Sequence, residues 1–133
     1  MVRTDSLATV RWIVDGMNVI GASPNGWWRD RHAAMVVLVQ ALETWARAER
    51  VDVTVVFEQP PSPPIDSAVI TVAHARVAAP DSADDEIVRV VRADERPADV
   101  VVVTSDRALA EQVRSAGAAV VPPRRLRALL DLG

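Results

Sequence analysis

Cysteine and lysine are both absent from this chain of 133 residues. Without cysteine there is no disulfide, no thiolate zinc site and no thiol nucleophile. Without lysine there is no P-loop lysine, no Schiff-base lysine and no receiver-domain lysine. All 15 basic residues are therefore arginine. A GC-rich genome is the plain cause, but the consequence is physical: every cation carries the planar fork that grips phosphate at two points. Histidine is scarce, with only His32 and His74, so a His-rich metal site is excluded. Neither histidine stands near a carboxylate or serine in a motif that would suit nucleophilic catalysis. No apolar stretch approaches the ~20 residues that span a bilayer. Met1 to Arg11 shows no apolar segment of the signal-peptide kind. These absences predict a cytoplasmic, soluble protein with no membrane partner.

What is present suits one domain over residues 1–133, with 1–10 as an N-terminal extension. Half the residues are hydrophobic, enough for a sizeable core at this length. The net charge of −3 gives the whole chain no strong pull on nucleic acid. Valine-rich runs recur at 11–15, 51–57, 68–73, 99–104 and 118–121. They are almost continuously apolar rather than alternating, as strands buried on both faces are. Between them lie helical patterns. Residues 30–49 place Ala34, Val37, Leu38, Ala41, Leu42 and Trp45 on one stripe. Segment 82–93 aligns Ile87, Val88 and Val91. Segment 106–116 aligns Leu109, Ala110 and Val113, with Gly117 where a C-terminal cap belongs. Segment 124–132 aligns Leu126, Leu129 and Leu130. Pro60 to Pro64, interrupted only by Ser62, is neither helix nor central strand. A rigid loop between the second and third strands explains it better than a polyproline ligand does. The alternation predicts an α/β domain with a central, mostly parallel five-stranded sheet flanked by helices.

Acids stand where apolar segments stop or start. Trp12-Ile13-Val14 ends in Asp15-Gly16-Met17-Asn18, and Val100 to Val103 ends in Thr104-Ser105-Asp106. Asp81, Asp84, Asp85 and Glu86 crowd the start of the 82–93 helix. Ligands of open α/β sheets bind outside the carboxyl ends of the strands. Acids converging there would repel one another unless a cation lay between them. Oxygen donors of this kind suit Mg²⁺ or Mn²⁺. Each cluster also has a purely structural explanation. Asp-Gly-Met-Asn is turn chemistry, with Gly16 permitting a sharp bend ahead of a loop. Acids in a first helical turn complement the helix dipole. Ser105 is a candidate N-cap of the helix that follows, with Asp106 merely favourable to its dipole. Asp84 stands out because its helical phase matches Ile87, Val88 and Val91, the face that packs on the sheet. An inward carboxylate is costly unless paired or metal-bound. Glu58, after Phe57, is a weaker candidate of the same kind.

Taken together, Val-Asp-Gly-Met-Asn-Val-Ile-Gly at 14–21, Ala-Asp-Asp-Glu-Ile-Val at 83–88 and Val-Val-Thr-Ser-Asp at 102–106 resemble the NYN domain, in the YacP-like branch of the PIN-like nucleases. The resemblance runs from residue 11 to about 130. It implies a Rossmann-like (PIN-like) fold and cleavage of RNA with Mg²⁺ or Mn²⁺. It implies Asp15, Asp84, Asp85 and Asp106 as the acidic cluster, with Asp15, Asp84 and Asp106 on the metal and Asn18 helping to hold metal or water. In-line displacement leaving a 5′-phosphate would follow. Two positions depart from the family pattern. Phe57-Glu58-Gln59 stands where relatives often show Phe-Asp-Gly, and Ala110 stands where some carry a further acid.

The expected function is a metal-dependent endoribonuclease, alone, as a homodimer, or with a ribosomal or RNA-processing partner. A catalytically inactive RNA-binding or scaffold domain is the alternative. A haloacid-dehalogenase-type phosphatase would want an aspartate where Met17 stands, and a lysine. RNA would be held by Arg29, Arg31 and Trp28, with Trp27 beside them and Arg124, Arg125 and Arg127 in reserve. Pairing of Arg29 and Arg31 with Asp30 or neighbouring glutamates, and packing of the tryptophans on the sheet edge, are the structural alternatives.

Overall fold

Branched side chains crowd an α-helix but fit a pleated surface covered on both sides, and four of the five valine-rich runs become strands within a residue of where the sequence puts them. In a computed structural model describing residues 9–76, 79 and 82–132, the strands are β1 (Arg11–Asp15), β2 (Asp52–Phe57), β3 (Thr71–His74), β4 (Val100–Val103) and β5 (Ala119–Val121). The third starts three residues later than expected. Its approach, 67–70, is organised instead by Ser67, whose hydroxyl accepts from the amides of Val69 and Ile70 and donates to Glu43.

The sheet order is β3-β2-β1-β4-β5, and every pairing is parallel. From β1 the chain winds outward through β2 to β3. It then returns to the other side of β1 as β4 and winds outward to β5. The winding reverses between β1 and β4, so their carboxyl ends flank the crevice where such sheets take ligands.

The helices are α1 (Gly16–Gly21), α2 (Arg31–Glu49), α3 (Ser82–Ala93), α4 (Arg107–Ser115) and α5 (Pro123–Leu129), with single 3-10 turns at Trp27–Arg29 and Pro97–Asp99. One core joins Val14, Val55, Phe57 and Val103 of the sheet to Val19, Leu38, Leu42 and Leu126 of α1, α2 and α5. The other joins Ile13, Val56 and Val102 to Ile87, Val91, Leu109 and Val113 of α3 and α4. Successive strand residues point to opposite faces, which is why neighbours such as Ile13 and Val14 serve different cores. Helix α1 corrects the loop expected after Gly16. Gly117 takes φ +105° just past α4, as its sequence position suggested. Asp81 and residues 1–8 of the N-terminal extension lie outside the described residues. No helix among the described residues is long and apolar enough to cross a membrane.

At the amino end of the central strand Arg11 grips Asp94, just past α3, in a bidentate pair, its Nη2 reaching Oδ1 at 2.6 Å. The guanidinium hydrogen bond holds the Asp94 carboxyl below its ordinary pKa. A depressed acid adds stability above its unfolded pKa and loses it as pH falls. Asp94→Asn should therefore cost about 1 kcal/mol at pH 7 in urea unfolding. That cost should fade below pH about 4, where an unfolded aspartate is protonated.

Candidate active site

Asp15 is the last residue of β1 and is 4 % exposed. Parallel pairing sets it level with Val56, two residues before Glu58. Beside it β4 ends, and Thr104, 3 % exposed, donates its hydroxyl to Asp15 Oδ2 at 3.0 Å. Burial pushes the Asp15 carboxyl from its ordinary 3.8 up to about 6. The charges of Asp106 and Glu58 add to the rise, while the Thr104 hydroxyl and the Asn18 amide oppose it. A buried carboxylate facing two like charges is what a cation would relieve.

Asn18 lies in the first turn of α1. Its Oδ1 accepts the Ser105 amide at 3.0 Å and the Ser105 hydroxyl as well. The carboxamide oxygen thus pins the turn after β4 to the helix after β1. Asp106, not Ser105, caps α4: its Oδ1 accepts the Leu109 amide at 2.9 Å, and its own amide donates to Thr104 Oγ1. Thr104 thereby links the two aspartates.

Asp84 is half-buried in the first turn of α3, next to buried Ala83, while Asp85 is exposed. The Ser82 hydroxyl lies 3.1 Å from the Glu58 carbonyl, tying the start of α3 to the end of β2. Yet the expected carboxylate trio is not assembled. Among the described residues no group of three or more acidic or histidine side chains comes together that could hold a metal ion. Asp106 and Glu58 are carboxylates whose charges act on Asp15. The candidate donors, Asp15 and Asp106, offer oxygens only. They suit a hard cation such as Mg²⁺, which keeps several waters and needs just one or two carboxylates.

Around this edge lie two clefts. One is lined by Met17, Arg31, His32, Met35, Phe57, Glu58, Gln59 and the loop residues Pro60 to Ser62. The other is lined by Thr104, Ser105, Asp106, Arg107, Ala110, Glu111, Arg114, Val120 and Pro122. Arg107 and Arg114 are exposed cations beside Asp106 that sequence reasoning missed; single arginines on a helix carry no local signal. Arg31 shares its cleft with Glu58, but Arg29 faces a separate groove with Trp27 and Arg127. Neither Arg29 nor Arg31 forms an ion pair among the described residues. Each lies over a tryptophan ring, Arg29 on Trp28 and Arg31 on Trp27, at 5.9 and 5.3 Å from the ring centroids. Trp27 packs on the core, as the structural alternative required, whereas Trp28 is 54 % exposed. Of the reserve arginines, Arg124 and Arg125 are exposed. Arg127 is buried and donates to the carbonyls of Val19 and Leu132. It braces α1 and drops out as a phosphate contact.

An all-parallel, doubly wound sheet with aspartates at its switch point defines a PIN-like α/β domain. Residues 12–132 match the model of the YacP-like NYN domain, and the chain belongs to that nuclease-like family. A crystal structure of Rae1 (YacP) from Bacillus subtilis superposes with a TM-score of 0.77 at 23% identity, over 90% of this chain and 72% of that one. A tryptophan-to-leucine mutant of the same protein gives 0.76 at 22%, over 93% and 77%. Likeness at this identity shows the shared fold. A comparison with curated proteins found no match.

Proposed function

We propose that this chain is a metal-dependent endoribonuclease acting at the carboxyl ends of β1 and β4, on RNA presented alone or by a ribosomal or RNA-processing partner. The observation that carries the reading is Asp15: buried, raised in pKa by burial, and raised further by the charges of Asp106 and Glu58. Asp15 and Asp106 would hold Mg²⁺ or Mn²⁺. Asp84 and Asp85, on a helix tied to the Glu58 strand end, are the further acids of the site. A bound cation would supply an acidified water and shield charge developing on phosphorus. Thr104 and Asn18 fix the two strand ends against each other, so the carboxylates need no reorganisation when substrate arrives. Arg31, with Arg29 and Trp28 further along, would hold the strand against the repulsion of the acids.

The test is cleavage of an end-labelled single-stranded RNA. Activity should require added Mg²⁺ or Mn²⁺ and vanish in EDTA. Cleavage that persists in EDTA would remove the metal from the mechanism. A second reading, a non-catalytic RNA-binding domain, draws on the Asp106 carboxylate being engaged in capping α4. It predicts RNA binding that ignores the cation, and no cleavage with any.

Arg29→Ala with Arg31→Ala should weaken binding for all sequences alike, by roughly tenfold at low salt, and flatten its salt dependence by about two counterions. Wild-type affinity with an unchanged salt slope, measured by fluorescence anisotropy, would leave the two arginines without an RNA role.

A further inference from the structure

The cleft on the Glu58 side of the acidic edge has features that metal binding and hydrolysis do not explain. Its floor is apolar, formed by Met17 from α1 and by the buried Met35 of α2 and Phe57 of β2. Its rim is polar, with Arg31 and Glu58 facing it and Gln59 exposed beside them. Its far side is the proline loop, whose Pro63 carbonyl lies 2.8 Å from His32 Nε2. That contact ties the loop to the first turn of α2. The cleft adjoins Asp15 through the backbone: Met17 follows it by two residues, and Phe57 packs directly under Gly16. The cleft thus opens beside the strand end that carries Asp15.

We propose that this cleft seats one nucleobase of the RNA, adenine by preference, with Arg31 on an adjoining phosphate. The proposal rests on the ribonuclease reading and adds a specificity site to it. A base presents two flat faces, one of which the half-buried Met17 thioether can cover. Single-stranded RNA is read on its base edges. The Gln59 carboxamide matches an amino group beside a ring nitrogen, the pairing it makes with adenine N6 and N7. Adenine offers that pair on two edges and cytosine on one. Uracil would turn a carbonyl toward the negative Glu58.

The test uses the Asp15→Asn protein, so that binding is read without cleavage. Five-nucleotide uridine oligomers carry a single adenosine at each position in turn, and affinity is measured by anisotropy. One position should bind roughly tenfold tighter than all-uridine. Gln59→Ala in the same background should erase that preference while leaving all-uridine affinity unchanged. A preference absent at every position, or surviving Gln59→Ala, would overturn the seat. The wild-type protein is assayed separately for cleavage. Positional preference without cleavage would sink the nuclease reading alone, and cleavage without positional preference would sink the seat alone.

Discussion

Asp15→Asn should abolish metal-dependent cleavage and make the protein more stable at neutral pH. Loss of the central carboxylate removes the anchor of the cation and several kcal/mol of charge stabilisation, so the rate should fall roughly a thousandfold. The stability gain comes from the cost of ionising this side chain in place. Its folded pKa of about 6 lies above the ordinary 3.8. A raised acid contributes no penalty below pH about 4, where both states are protonated. As pH climbs from there to 6, the unfolded chain gives up its proton first and stability falls. Above 6 the penalty is constant, and two pK units correspond to about 3 kcal/mol at most. Asparagine keeps the shape and can still accept the Thr104 hydroxyl. Urea unfolding should show Asp15→Asn about 2 kcal/mol more stable at pH 7 and no more stable than wild type at pH 4. Divalent cation should raise the wild-type melting temperature and leave the variant's alone. A variant that cleaves RNA at the wild-type rate would place the activity elsewhere.

The sequence shows β1, β2 and β4 because buried parallel strands are written as unbroken apolar runs that need no partner to be recognised. Asp84 is legible for a similar reason: its phase relative to Ile87, Val88 and Val91 is a local property. Helix α1 is not. Its six residues are too few for a period to show, and Asp15-Gly16-Met17-Asn18 reads equally well as a turn. What holds it helical is distant, for Arg127 reaches back to the Val19 carbonyl across 108 positions. The role of Asn18 is hidden in the same way, since its partner Ser105 belongs to another strand end. The capping choice between Ser105 and Asp106 is equally hidden, since both are good N-cap residues and stand side by side. Glu58 was a minor candidate by position alone. Only the register of β2 on β1 brings its charge to bear on Asp15.

Gly16 is the sharpest case of a residue whose reason lies elsewhere in the chain, and it yields the other large effect. A turn-forming glycine should tolerate alanine where its backbone angles are ordinary. Gly16 has no left-handed φ, yet a Cβ there would stand 2.5 Å from Phe57 Cε1, 2.8 Å from Cδ1 and 3.1 Å from Val55 Cγ2. Phe57 is 1 % exposed and has nowhere to retreat. Gly16→Ala must therefore lift α1 off the sheet or force the ring into its neighbours, at about 3 kcal/mol. That is a large share of the 5–15 kcal/mol that typically holds a domain folded. Lifting α1 also draws Asn18 from Ser105 and Asp15 from Thr104, so activity should fall beyond what the folded fraction explains. Gly21→Ala is the control at the other end of the same helix. Its Cβ would meet nothing nearer than Trp27 Cζ2 at 3.8 Å, and the change should be neutral or slightly stabilising. Phe57→Leu alone should cost about 1 kcal/mol by loosening the core. Combined with Gly16→Ala it should cost less than the sum, with a coupling of about 2 kcal/mol, because the shorter side chain vacates the space the new methyl needs. Strict additivity in the urea midpoints of the four proteins would show that α1 yields and the ring does not. Full stability of Gly16→Ala alone would mean that the close approach of helix and ring is not what fixes Asp15 at the strand end.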